Sequence, residues 1–191
     1  GEHVGQDRKI AVVHRAAEYH DLGKLDDENQ AVFEGKKKAK RLPIQHTDAG
    51  TAYLIAQNKS LSAALVRSHH IGLPDFVEEE NRGEEFFRDN SVRERVDKTV
   101  KQLTEYHRQA LPDLISAKNT ENNLTGNPAL FFRVALSCLV DGDHSDTAIH
   151  YGEYPNREKR VDLKPDERLA ALDHYVAELQ GTDERSRLRH E

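Results

Sequence analysis

Tyr19-His20-Asp21-Leu22-Gly23-Lys24 is the stretch that decides both the fold and the chemistry expected of this chain. A histidine beside an aspartate offers one nitrogen and one oxygen ligand to a metal ion, and the second carboxylate oxygen can reach another ion. Residues 10–18, which precede it, have helical apolar spacing, and Gly23 is expected to end that helix. The pattern therefore predicts a metal site at a helix end.

More candidate ligands follow, again at or beside the ends of predicted helices. They are His46, the pair His69-His70, and the two aspartates Asp141 and Asp143, which compete for one ligand position. Mixed imidazole and carboxylate ligands suit Mn, Fe, Ni, Co or Zn, whereas Mg prefers carboxylates and water. Because two such ions can act together on a phosphodiester, a metal-dependent phosphohydrolase or nuclease is the first interpretation.

The composition indicates a globular domain. With 191 residues, of which 36% are hydrophobic and 32% charged, the chain is long enough to build one core. No apolar run approaches the ~18 residues that a membrane span needs. The single cysteine, Cys138, excludes an internal disulfide and is expected to be buried in an apolar helix. We therefore expect a cytoplasmic protein without a membrane partner; since the chain has no methionine, its true N-terminus is expected upstream.

Apolar spacing predicts an all-α fold, because no strand-like alternation of useful length is present. Predicted helices cover residues 10–18, 29–33, 48–57, 61–68, 91–111 and 129–140, and a last helix begins at Pro165. The acidic segment 75–90, the polar segment 116–126 and the mixed segment 147–163 are expected to be irregular. Residues 1–181 form the predicted domain, and residues 182–191 a charged tail or linker.

A dense positive run lies between two candidate ligands, although the net charge of the chain is −6. Such a run is either a solvated loop or a surface that attracts phosphate, and its place between the ligand motifs favours the second interpretation. The residues predicted to contact nucleic acid are Lys36, Lys37, Lys38, Lys40 and Arg41.

In their order, these motifs resemble the HD phosphohydrolase superfamily. More closely, they resemble the CRISPR-associated HD nuclease, the nuclease domain of the type I effector helicase-nuclease. The resemblance covers roughly residues 10–150 and rests on His20-Asp21-Leu22-Gly23-Lys24, Gln45-His46-Thr47-Asp48-Ala49-Gly50, Ser68-His69-His70-Ile71-Gly72-Leu73-Pro74-Asp75 and Ser137-Cys138-Leu139-Val140-Asp141-Gly142-Asp143-His144-Ser145-Asp146-Thr147. The last two stretches favour the CRISPR branch over general nucleotide phosphohydrolases.

The resemblance implies an HD-domain helical bundle whose two-metal site, at helix ends, cuts single-stranded DNA. Asp21 would bridge the two metals, Lys24 would stabilise phosphate charge, and Asp143 is preferred to Asp141 because it aligns with the family's aspartate. The other implied ligands are His20 beside Asp143 for one metal, and His46, His69 and His70 for the other. The implied partners are single-stranded DNA, a helicase domain or subunit, and a CRISPR RNA-guided surveillance complex.

One ligand of the family has no clear counterpart. The family carries an additional histidine on a helix well before the His-Asp pair, and only His3 and His14 precede it here. His14 is seven residues before Asp21, ~10.5 Å along one helix, which is too far to share a metal. His3, or a residue upstream of position 1, is the remaining candidate.

Two other functions stay open. An HD-type nucleotide phosphohydrolase predicts an enclosed pocket for a base and ribose, whereas a nuclease predicts an open groove with a basic rim. A non-catalytic binding domain predicts a degraded or mononuclear metal site. Because the sequence contains no Walker A motif, unwinding of a duplex is expected to come from a partner or another region.

Overall fold

The computed structural model describes residues 2–83, 86–112, 127–152 and 164–178, without the side chains of residues 2–6. Throughout these residues the regular secondary structure is helical, so the predicted all-α fold is confirmed. The elements are α1 (Glu2–Tyr19), the 3-10 helix η1 (Leu22–Leu25), α2 (Asp27–Phe33), α3 (Thr47–Ala56), α4 (Ser60–Ser68), α5 (Phe76–Asn81), α6 (Arg93–Ala110), α7 (Pro128–His150) and α8 (Pro165–Glu178). None of the described helices is long and apolar enough to cross a membrane.

The chain divides into two compact units, Gly1–Glu153 and Tyr154–Glu191. The first contains α1 to α7 and every candidate ligand, and α8 is the described part of the second. The domain boundary predicted between residues 181 and 182 lies outside the described residues and stays a prediction.

Three helices form the centre of the first unit. α4 packs against both α1 and α3, while α6 contacts α3 and α7 contacts α1 and α4. Val12 of α1, Leu54 of α3 and Leu65 of α4 are fully buried in the shared core, and burial of such apolar side chains is the main force that holds helices together. Because α1 and α4 pack together, the residues at their C-terminal ends, His20 and His69, become neighbours.

α7 is longer than predicted. It begins at Asn127, whose side chain accepts a hydrogen bond from the backbone N–H of Leu130, and Pro128 occupies its first turn. The prediction that the helix ends near residue 140 is wrong, because α7 continues through Gly142 to His150. One glycine costs a helix only about 1 kcal/mol relative to alanine, which is too little to end a long one. Asp143 therefore lies inside a helix and not after it.

The predicted loop over residues 75–90 is also partly wrong, because it contains α5. The side chain of Asp75 accepts hydrogen bonds from the backbone N–H groups of Val77 and Glu78. Glu78 and Glu79 lie in the first turn, where negative charge interacts favourably with the helix dipole. The acidic run that suggested a loop therefore supports the start of a helix.

Candidate metal centre

Two clusters of candidate metal ligands lie side by side, close to the ends of α1 and α4, the start of α3 and the middle of α7. The first cluster is His20, Asp21 and Asp143, and the second is His46, His69 and His70. Within each cluster the ligand atoms all lie within 4.8 Å of one another. The structure thus brings together all six residues predicted as ligands, in the two groups that the resemblance implies.

Asp21 lies between the two clusters. Its Oδ2 atom is 3.3 Å from Nε2 of His20, which belongs to the first cluster. Its Oδ1 atom is 3.4 Å from Nε2 of His46, which belongs to the second. The two carboxylate oxygens thus face different sets of ligands, as a bridging carboxylate requires.

In the first cluster, the ring of His20 is oriented by the backbone of α1. Its Nδ1 atom lies 2.8 Å from the carbonyl oxygen of Ala17, to which it can donate a hydrogen bond. That arrangement leaves Nε2 with its lone pair, 3.5 Å from Oδ1 of Asp143. A backbone carbonyl bonded to the second ring nitrogen is a common way to orient a metal-binding histidine.

The second cluster is built in the same way. Nδ1 of His69 lies 2.6 Å from the carbonyl oxygen of Val66 in α4, so its Nε2 faces the cluster. Nε2 of His70 is 3.0 Å from Nε2 of His46, which directly precedes α3. The rings of His69 and His70 pack with their centroids 4.0 Å apart. Three imidazoles from two chain segments therefore converge on one point.

Several polar atoms of the two clusters are buried without a hydrogen-bond partner among the described residues. They are Nε2 of His20, Oδ1 of Asp21 and Nε2 of His69. A buried polar atom left without a partner costs about 1–3 kcal/mol. Three such atoms aimed into one site, with nitrogen and oxygen lone pairs, fit divalent transition metal ions. The donor set and its geometry therefore suit the metals predicted from the sequence.

The neutral state of two histidines of the second cluster suits metal binding at neutral pH. Burial lowers the pKa of His46 and of His69 to about 4, so both are neutral imidazoles at pH 7. Burial acts against a charge on His20 and on Asp21, but their mutual attraction outweighs it. The pKa of His20 is consequently raised, and that of Asp21, which also pairs with Lys24, is lowered well below its usual range.

Gly23 explains how two distant segments approach each other. A Cβ atom at this position would lie 2.3 Å from the carbonyl oxygen and 2.6 Å from the Cα atom of His46. Only glycine therefore allows the backbone of His46 so close to the Asp21 segment. Gly50 has a similar role, because a Cβ atom there would lie 2.0 Å from the carbonyl oxygen of Tyr19, the residue before His20.

Asn29 is a positioning residue that the sequence analysis missed. Its side chain is fully buried, and its Nδ2 atom donates to the carbonyl oxygens of Gly23 and Ile44, each at 2.9 Å. Its Oδ1 atom accepts from the backbone N–H of Ile44 at 3.0 Å. The asparagine thus ties the Asp21 segment to the segment that leads into His46. A lone asparagine in a short polar helix gives no sequence signal of this role.

A cavity of about 550 Å³ adjoins the first cluster. Its lining includes Lys24, whose Nζ atom is 2.6 Å from Oδ2 of Asp21. The other lining residues that carry chemistry or a large ring are His20, Asp21, Phe33, Cys138, Asp143, Asp146, Thr147, His150 and Tyr151. The prediction that Cys138 is buried is wrong: it is exposed, because α7 turns Ala135 and Leu139 to the core and Cys138 to the cavity.

The basic run divides into two paired and three exposed residues. Lys36 pairs with Glu34 at 2.6 Å, and Lys37 pairs with Glu28 at 2.5 Å. The remaining members, Lys38, Lys40 and Arg41, are exposed and show no ion pair within the described ranges. None of the five lines the cavity beside Asp21, so a contact with nucleic acid stays a prediction.

Three other residues from the sequence analysis lie apart from the clusters or outside the described structure. Asp141 is exposed on α7 and belongs to neither cluster, whereas Asp143, two residues later, belongs to the first. His14 is exposed on α1 and also belongs to neither. The side chain of His3 lies outside the described residues.

Comparisons with known proteins give no relative: no family model, curated protein or solved structure matches this chain.

Proposed function

We propose that the protein is a metal-dependent nuclease that cleaves single-stranded DNA by two-metal phosphodiester hydrolysis. The observation that carries the proposal is the position of Asp21. Its Oδ2 atom lies 3.3 Å from Nε2 of His20, and its Oδ1 atom lies 3.4 Å from Nε2 of His46. A mononuclear site needs only one cluster, whereas a carboxylate shared by two clusters suits a pair of ions. The presence of all six predicted ligands in the two clusters also argues against a degraded, non-catalytic site.

The ligands favour transition metals. His20, Asp21 and Asp143 would hold one ion, and the three histidines of the second cluster, with Asp21, would hold the other. Imidazole donors favour Mn, Fe, Co or Ni, although Mg remains usable at carboxylates. When bound, such a pair of ions stabilises charge on a phosphate and lowers the pKa of a water nucleophile.

The residues of the chain would orient the substrate. Lys24 places a positive charge on the cavity wall beside Asp21, where it can stabilise a phosphate oxygen. Phe33, His150 and Tyr151 line the same cavity and are exposed, so the cavity opens at the surface. An open cavity suits a polymer better than a small nucleotide, which favours the nuclease over the nucleotide phosphohydrolase.

We further propose that this nuclease acts in CRISPR interference, in antiviral defence. A helicase domain or subunit would supply the single strand, and a CRISPR RNA-guided surveillance complex would select the target. This wider role rests on the sequence resemblance of the stretch from Ser68 to Asp75 and of the stretch from Ser137 to Thr147.

The test is cleavage of circular single-stranded DNA with Mn, Ni or Mg. The wild type is compared with Asp21→Ala and with Asp141→Ala, which removes an exposed carboxylate of α7 outside both clusters. We expect metal-dependent cutting in the wild type and in Asp141→Ala, and none in Asp21→Ala. A circle has no ends, so cutting also establishes endonuclease action.

The same preparations are tested on nucleoside phosphates and cyclic nucleotides. Hydrolysis of these compounds, with intact circles under every metal, would replace the nuclease by the nucleotide phosphohydrolase. Equal cutting by wild type and Asp21→Ala would contradict the two-metal site.

A further inference from the structure

We propose that Phe33 and Tyr151 are stacking surfaces for unpaired bases of the substrate strand at the rim of the metal cavity. This inference rests on the proposed nuclease function, and it names the residues that would select a single strand over a duplex. The observation behind it is that two large aromatic side chains line the cavity of His20, Asp21 and Asp143 and yet remain 57% and 71% exposed.

Tyr151 is positioned by α7. It directly follows the helix, eight residues after Asp143, which corresponds to about 12 Å along the helix axis. Its ring meets the ring of His150 edge to face, with centroids 5.1 Å apart and planes at 81°. The tyrosine therefore stands beyond the metal ligands, where it would meet a neighbouring nucleotide and not the phosphate that is cut.

Phe33 joins the cavity to the basic run. It is the last residue of α2, and Lys38 follows it by five residues, at most about 18 Å along an extended chain. Arg41 precedes the ligand His46 by the same five residues. Residues 33–46 thus connect an aromatic residue of the cavity to a metal ligand. Three cations of this segment, Lys38, Lys40 and Arg41, have no ion pair among the described residues.

This combination favours nucleic acid over a protein partner. Aromatic rings that accept base faces, next to cations that follow the backbone, are typical of proteins that bind single strands. The lining of the cavity also includes Asp146, Thr147 and His150, which are polar groups that a hydrophobic protein interface would avoid. Bases stacked within a duplex have no free face for either ring.

The test compares Phe33→Ala, Tyr151→Ala and the double variant with Tyr106→Ala, which removes an exposed tyrosine of α6 outside the cavity. Cleavage by each variant is measured on an ordinary single-stranded oligonucleotide and on one with abasic sites around the cleavage position. Because one stacked base is worth roughly 1–3 kcal/mol, we expect the double variant to raise KM about tenfold or more on ordinary DNA. On abasic DNA the same variant should match the wild type, with kcat unchanged on both.

A binding measurement needs no activity. Since the chain contains no tryptophan, Phe33→Trp introduces the only tryptophan, whose fluorescence can be excited selectively, and keeps an aromatic ring. In EDTA, we expect oligothymidylate to quench the fluorescence of this variant, and an abasic oligomer of equal length to leave it unchanged.

The outcomes separate this inference from the proposed function. If the wild type cuts DNA but the double variant keeps the KM of the wild type, and the Phe33→Trp variant shows no quenching, the stacking role is overturned and the nuclease stands. If the wild type cuts no DNA with any metal, the nuclease proposal fails, and quenching in EDTA still decides whether the rim binds bases. Thermal melting of each variant confirms that it is folded.

Discussion

Gly23 has no side chain, and this lets the backbone of the predicted ligand His46 approach closely. The carbonyl oxygen of His46 occupies the space that a Cβ atom would need, at 2.3 Å. Gly142, in contrast, lies within α7 with no atom within 4 Å of a Cβ built there. The two glycines therefore respond in opposite ways to the same substitution.

We expect Gly23→Ala to lower the free energy of unfolding by about 2 kcal/mol or more, since backbone must move to admit the methyl group. Gly142→Ala should raise it by about 0.5–1 kcal/mol, because alanine is the better helix former. Urea denaturation measures both. A neutral Gly23→Ala would mean that the approach of His46 does not depend on this residue.

Protonation of the buried histidines gives a second prediction. The pKa of His46 and His69 falls from 6.5 to about 4 on folding, so between these values the unfolded chain binds more protons. In EDTA, the free energy of unfolding should therefore decrease as pH falls from 6.5 through 4, and these two groups should contribute no pH dependence above 6.5. The raised pKa of His20 has the opposite effect, because its contribution to the free energy of unfolding is lost as pH rises.

Denaturation in urea across this pH range is the measurement. His46→Gln removes one of the two groups and should reduce the slope of stability against pH. His14→Gln, at an exposed position outside both clusters, is the matched control variant. Equal slopes of stability against pH in the wild type and in both variants would show that His46 is protonated as easily in the folded as in the unfolded chain.

Residue chemistry explains which parts of the site could be predicted. His20 and Asp21 could be predicted because metal ligands belong to few residue types and these two are adjacent, whereas Asp143 was preferred to Asp141 only through the family resemblance. The roles of Asn29 and Gly50 depend on carbonyl groups that only folding brings near, so no local pattern reveals them.

At the scale of elements, a buried ion pair fixes α3, whose first turn follows His46. Asp48 is fully buried, and its Oδ2 atom is 2.8 Å from Nη2 of Arg88. Oδ1 also accepts from the backbone N–H of Asp89 at 2.7 Å. Arg88 pairs in turn with Asp97 of α6 at 2.7 Å. The segment between α5 and α6 therefore clamps α3 to α6.

Removal of the arginine should destabilise this arrangement strongly. Arg88→Met leaves the Asp48 carboxylate buried without its cation, and we expect a loss of about 3–5 kcal/mol in the free energy of unfolding. The double variant Asp48→Asn, Arg88→Met should recover part of that loss. Lys98→Met breaks the exposed pair with Glu94 and should cost less than about 1 kcal/mol. A loss no larger than that of Lys98→Met would refute the clamp.

The presence of each of the helices α3, α4, α6 and α7 was easier to predict than the residue at which a long helix ends. Apolar spacing predicted α3, α4 and α6 to within two residues at each end, because burial of one face depends on that spacing. The end of α7 was missed because Gly142 is tolerated inside a helix whose later turns line the cavity.

At the scale of the whole molecule, metal binding should be coupled to stability. The clusters require α1, α3, α4 and α7 in their native places, so ions bind the folded unit in preference to the unfolded chain. At a metal concentration one hundred times Kd, the gain is about 2.7 kcal/mol, or roughly 5–10 °C in Tm. Differential scanning calorimetry with Mn or Ni against EDTA measures the shift.

The matched carboxylate variants test the source of that shift. Asp141→Ala should keep the shift, and Asp21→Ala should lose most of it because Asp21 would be a ligand of both metal ions. An identical shift in Asp21→Ala would place metal binding elsewhere.

The spacing of the ligands along the chain also has a kinetic consequence. Asp21 and Asp143 are separated by 122 positions (143 − 21), so their approach closes one of the longest loops in the first unit. Contacts of this kind form late, after local helices and their nearest partners. Substitution of Asp143 should therefore leave the refolding rate nearly constant and change the unfolding rate. Bound metal would therefore slow unfolding and prolong the lifetime of the folded protein without increasing the rate of folding.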